Sequence, residues 1–133
     1  MPQKQGSSSS DGGRLDGSIG TALVAATHVA LGAGWGGAAT VVVAAGSNDQ
    51  RGSLTITAST TTPAQATATV AITFADGAYA GTPFAHVNLQ DNTQAITDGQ
   101  PTDVACTTTV LSWTHSVLPV DTKTYTFVWA VFA

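Results

Sequence analysis

Between residues 66 and 74 the chain alternates with a period of two. Ala66, Ala68, Val70, Ile72 and Phe74 fall on one side, and Thr67, Thr69 and Thr73 on the other. Successive side chains of a strand point to opposite faces, so this spacing predicts a strand with an apolar face inward and a threonine face outward. Residues 53–59 repeat the pattern, with Leu54, Ile56 and Ala58 set against Ser53, Thr55, Thr57 and Ser59. The run Thr124–Phe132 places Tyr125, Phe127, Trp129 and Val131 on one side. Val128, Ala130 and Phe132 make its other side apolar as well, which predicts a strand covered on both faces. Residues 22–31, 39–45, 84–90 and 104–113 are further strand candidates.

Turn chemistry separates these runs. Gly46-Ser47-Asn48-Asp49, Asp76-Gly77, Asp91-Asn92 and Asp98-Gly99 tolerate positive φ or bond their own backbone. Seven or eight short strands at this spacing predict an all-β fold, an antiparallel β-sandwich of jelly-roll type. Long helices do not fit, because Thr, Gly and Val outnumber the Glu, Lys and Leu that build helical surfaces. At 133 residues the chain is long enough for one domain with a real core. The first 18 residues carry Lys4, Asp11, Arg14, Asp16, a Ser7–Ser10 run and Gly12-Gly13, with no periodicity. They read as an extended N-terminal arm (1–18) ahead of a sandwich domain (19–133).

Charge is scarce and unevenly placed. Only 9% of residues are Asp, Glu, Lys or Arg, all eight acids are Asp, and the net charge is −4. An acidic chain is a poor fit to phosphate-driven nucleic-acid binding. No charged residue occurs between Gly17 and Asn48, or between Gly52 and Ala75. Strands in isolated β-proteins guard their edges with charges or prolines, and this chain barely uses them. Threonine-covered faces dissolve yet are cheap to desolvate, so they suit burial against copies of the same chain or a larger assembly. The apolar segment 19–31 is shorter than a membrane span and contains His28, and residues 1–18 lack a signal peptide's apolar stretch. The expectation is a soluble protein made in the cytoplasm.

Catalytic chemistry finds no foothold in the spacing. His28, His86 and His115 fall on different candidate strands and in no metal-ligand spacing. His86 shares a face with Phe84, Asn88 and Gln90, which suits solvent or an interface. Cys106 has no neighbouring cation to activate it and reads as a structural buried thiol. Asp91, Asn92, Asp98 and Asp103 could offer oxygens to Ca²⁺, but they match no calcium-loop pattern. The glycine-rich Gly32-Ala33-Gly34-Trp35-Gly36-Gly37 precedes no helix that could present its N-terminus to phosphate. It reads as a loop whose Trp35 plugs a core edge or an intersubunit seam. Arg51, beside Asp49, either bonds a turn carboxylate or carbonyl and fixes the entry to the next strand, or is a solvated surface residue. No catalytic, cofactor-binding or metal-binding residue is assigned, and no enzyme is expected.

The string Gly46-Ser47-Asn48-Asp49-Gln50-Arg51-Gly52, followed by Ser53-Leu54-Thr55-Ile56-Thr57, resembles small β-domains in virion proteins of tailed bacteriophages. Val70-Ala71-Ile72-Thr73-Phe74, then Tyr79 and Pro83, then Thr124-Tyr125-Thr126-Phe127-Val128-Trp129 continue the likeness, which spans about residues 32–133. The resemblance implies a structural virion role and no catalytic residues, and it implies a homotrimer. A short arm before a compact domain fits a capsid decoration protein, which binds the major capsid protein on the outer surface of the head. The alternative is a receptor- or glycan-binding module of a head or tail fibre, with a host-surface glycan as partner. Such a tip would display loop aromatics, and Trp35 and Tyr79 are the candidates. Neither nucleic acid nor membrane is an expected partner.

Overall fold

A computed structural model describes residues 20–59, 67–92 and 100–133. The expected arm (1–18), Ala66 and Asp98 lie outside these residues. Eight strands form two four-stranded antiparallel sheets. One sheet has the order β1 (Val29–Leu31), β4 (Thr69–Thr73), β7 (Val110–His115), β6 (Pro101–Cys106); the other runs β2 (Thr40–Val43), β3 (Arg51–Thr57), β8 (Thr124–Phe132), β5 (Phe84–Asn92). The antiparallel sandwich expected from the alternation is present. Only β2–β3 and β6–β7 join strands adjacent in sequence; the other pairings bridge distant segments.

The core lies between the sheets and is built by the alternating sets. Leu54, Ile56, Tyr125, Phe127, Trp129 and Val131 from one sheet meet Val70, Ile72, Leu111 and Trp113 from the other, all buried. At the centre sits Trp35, fully buried on a short 3₁₀ turn (Ala33–Trp35). Its ring stacks on His115 at 5.1 Å and meets Tyr125 and Phe127 edge-on at 5.4 and 6.2 Å. Its indole N–H donates to the Thr69 carbonyl at 3.0 Å, as a buried Trp requires. Trp35 therefore belongs to the core and not to a seam, and Tyr79, 4% exposed against Phe74, is equally internal. Neither is a loop aromatic on display.

Several expected boundaries shift for local reasons. Residues 22–31 do not form one strand. One helical turn, α1 (Ala25–His28), intervenes, because His28 donates its N–H to the Val24 carbonyl at 2.8 Å and accepts the Val24 N–H on Nδ1 at 2.8 Å. Residues 104–113 divide into β6 and β7 around a threonine turn. Thr107 Oγ1 accepts the N–H groups of Thr109 and Val110 at 3.2 and 3.0 Å, and the Thr107 N–H reaches the Val110 carbonyl at 2.8 Å. Asp91-Asn92 is the end of β5, beyond a register shift between Leu89 and Asp91. Finally, β8 is covered on one face only: Val128 and Ala130 are half-buried and Phe132 is 60% exposed.

Candidate interaction face

The outer face of the β2-β3-β8-β5 sheet follows from register. Val42 lies beside Thr55 and Thr126, Ser53 beside Val128 and Asn88, Arg51 beside Ala130 and His86, and Phe132 beside Phe84. Thr55 and Thr126 join their hydroxyls at 2.8 Å across two strands. Among the described residues of this face whose side chains are placed, Arg51 is the only charged one. Three large apolar side chains stand clear of it: Phe84 at 82% exposed, Val42 at 67% and Phe132 at 60%. The two phenylalanines are direct cross-strand partners. A shallow depression of about 370 Å³ opens at the β2–β3 turn, lined by Ala44, Gly46, Arg51, Ser53, Val128 and Trp129.

The β2–β3 turn at that end is a polar knot with almost no solvent contact. Ser47, Asn48 and Asp49 are 4%, 6% and 1% exposed. Asn48 Oδ1 accepts the N–H groups of Gln50 and Arg51 at 2.9 and 3.2 Å, and its carbonyl accepts the Trp129 indole N–H at 3.2 Å. Ser47 Oγ accepts the Ser53 N–H at 3.2 Å, while its carbonyl takes the Leu23 N–H at 3.0 Å. The two Asp49 carboxylate oxygens accept the backbone N–H groups of Ala75 and Asp76 at 2.7 and 2.9 Å. Asp76 in turn accepts the Thr21 N–H at 3.0 Å. One turn thus ties β3 to the segment leaving β4 in the opposite sheet, and that segment to the residues before α1. Gly46 supplies the positive φ of 83° that the turn needs. At Gly52 a Cβ would lie 2.5 Å from Ser47 Cβ and 2.6 Å from the Trp129 ring, so only glycine fits.

The bonding role considered for Arg51 is not what the geometry provides. Asp49 turns its carboxylate away to Ala75 and Asp76, and among the described residues no hydrogen bond or ion pair holds the exposed guanidinium. Of the histidines, His28 closes α1, His86 is exposed on the outer face and His115 is buried among aromatic rings. Cys106 is half-buried at the end of β6, and burial pushes its thiol pKa up from the ordinary value. Among the described residues no three His, Cys, Asp or Glu side chains gather as a metal site would require, and no helix is long and apolar enough to cross a membrane. The Phe84–Phe132 pair went unread in the sequence. Its signal is a phenylalanine on the polar side of its own alternation, with His86 and Asn88. No family model matches the chain, and neither a curated protein nor a solved structure is significantly similar to it.

Proposed function

We propose that the chain is a structural virion protein of a tailed bacteriophage, a decoration module that binds the outer surface of the head through the major capsid protein. The observation that carries this reading is the outer face of the β2-β3-β8-β5 sheet, which exposes Val42, Phe84 and Phe132 and where, among the side chains described, Arg51 is the only charged one. Such a face loses little hydration on burial, and aromatic and Arg side chains are the anchors interfaces favour. Each copy would bridge neighbouring capsid subunits, so that rupture breaks many contacts together. Residues 1–18 extend the attachment as an arm along the capsid or an adjacent copy, and the copies associate with one another. The second reading, a receptor- or glycan-binding module of a fibre, draws on the same Phe84–Phe132 pair, since flat rings also receive sugar faces.

Immunogold labelling of virions with an antibody to the purified chain separates the two. Gold over the head surface is the expected result. Gold confined to fibres replaces the first reading with the second, and particles without label overturn both.

A further inference from the structure

The two edges of the β2-β3-β8-β5 sheet are finished differently. On β5 a register shift interrupts the strand after Leu89, and Gln100 Oε1 accepts the outward Leu89 N–H at 3.4 Å. Bulges and capped edge groups discourage further pairing. Strand β2 has neither device; the single α1 turn approaches it without a backbone bond to it. Its neighbourhood reads Ala38-Ala39-Thr40-Val41-Val42-Val43-Ala44-Ala45, without charge, proline or glycine.

Which groups of β2 face outward follows from parity. In an antiparallel ladder, hydrogen-bonded and non-bonded pairs alternate. The Ala44 N–H bonds the Ser53 carbonyl at 2.9 Å, so Val42 and Thr40 also bond β3. Val41 and Val43 then turn their N–H and C=O groups to the open edge, and among the described residues nothing bonds them there. Ala39 closes the row on one side by donating to the Gly36 carbonyl at 3.1 Å. On the other side the turn begins, closed by Ser47 N–H to the Ala44 carbonyl at 3.1 Å.

We infer that β2 pairs antiparallel with β2 of a second copy about a two-fold axis at Val42, joining the two four-stranded sheets into one continuous sheet. This register satisfies all the open groups. Val41 faces Val43 of the partner subunit and Val43 faces Val41 of the partner subunit, each pair exchanging two bonds. Sliding the pairing toward Ala39 would require an N–H already given to Gly36. Sliding it toward Ala45 would enter the turn. At the axis Val42, 67% exposed in the single chain, packs on its own copy across a non-bonded pair, where side chains approach closest. Thr40 meets Ala44 of the partner subunit, so no charge and no bulky group opposes contact. A two-fold pairing closes on itself as a dimer, and the bulged β5 edges become the ends of the joined sheet. This inference does not rest on the virion reading, and it yields a dimer, not the trimer implied by the resemblance.

Light scattering on the purified full chain tests it. The expected result is a dimer at concentrations up to about 100 μM that the Val42→Lys variant weakens at least about tenfold, because like charges then face each other at the axis. The variant's circular dichroism should match the parent's, since residue 42 lies outside the core. A second measurement places cysteine at position 42 (Val42→Cys) in a Cys106→Ala background and adds oxidised glutathione. Opposed Cα atoms about 4.5 Å apart fall within disulfide reach, so a covalent dimer should form rapidly. Thr73→Cys in the same background, exposed on the other sheet, should cross-link far more slowly. A chain that stays monomeric, an assembly indifferent to Val42→Lys, or equal cross-linking at 42 and 73 would each overturn the inference.

Discussion

Strand β2 and the turn that follows it are neighbours in sequence and opposites in how they treat hydrogen-bonding groups. Residues 40–43 carry apolar and β-branched side chains, and half of their backbone groups point to an edge where, among the described residues, nothing bonds them. Residues 47–49 carry polar side chains, yet these are buried and bonded to backbone at residues 50–53 and 75–76, while the Trp129 indole N–H reaches the Asn48 carbonyl. Composition alone would send the first segment inward and the second outward. The structure reverses this because a buried polar side chain is tolerated where it replaces water one bond for one bond, and an apolar strand is exposed where its sheet ends. The turn spends its polarity holding the fold together; among the described residues the strand leaves its edge groups unused.

Breaking the turn should have the largest effect. Asp49→Ala strands two backbone N–H groups and empties a buried site, so unfolding free energy should fall by about 3 kcal/mol and the melting temperature by roughly 10 °C. Val42→Thr, one strand earlier, should change stability by less than about 0.5 kcal/mol. Urea titrations of both variants check the contrast, and equal losses would abolish it. The next effect concerns close approach. Gly52→Ala drives a methyl into Ser47 and Trp129 and should cost about 1–3 kcal/mol. Gly81→Ala, with no atom within 4 Å of the added Cβ, is its neutral control. A Gly52 variant as stable as that control would mean the turn yields freely.

How much of this could be read beforehand depended on residue type. The alternations in β3, β4 and β8 carried their buried sets directly, because a period of two with Leu, Ile, Val and aromatics on one side has few other meanings. Threonine hid the rest. In β3 and β4 it marks the outward face, whereas Thr107 closes a turn with its own hydroxyl, and the β6–β7 hairpin therefore looked like one strand. The Gly46–Gly52 string stood out as a pattern, but not for its cause. That Asp49 serves Ala75 and Asp76 rather than the Arg51 guanidinium depends on strands brought together only by the fold.

Two smaller predictions sharpen the comparison by sampling between its extremes. Cys106 is half-buried, and its raised pKa favours the neutral thiol in the folded chain. Alkylation by iodoacetamide should be slower than for the urea-unfolded chain at pH 8, and the gap should narrow as pH rises through the folded value. By the same sign, the stability this group adds is complete below the ordinary thiol pKa and is lost through that higher range. Equal rates at pH 8 would place the thiol in open solvent. The smallest effect belongs to Arg51→Ala, within about 0.5 kcal/mol in the same titration, because among the described residues its guanidinium holds nothing. A larger loss would reveal a partner inside the fold.

The place of β8 in its sheet has a consequence for synthesis. It is a central strand, flanked by β3 and β5, and it supplies Tyr125, Phe127, Trp129 and Val131 to the interior. A ribosome completes β3 about 70 residues before β8 begins, an interval of several seconds at 5–20 residues per second. Throughout that time β3 can pair with β2 but has nothing on its other flank, and the sheet lacks its middle. Folding must therefore wait for the last strand to emerge and then close long-range pairings, which places this chain among slow folders. The nascent threonine–valine strands need protection during that interval, and chaperones that shield them should raise the yield of folded protein.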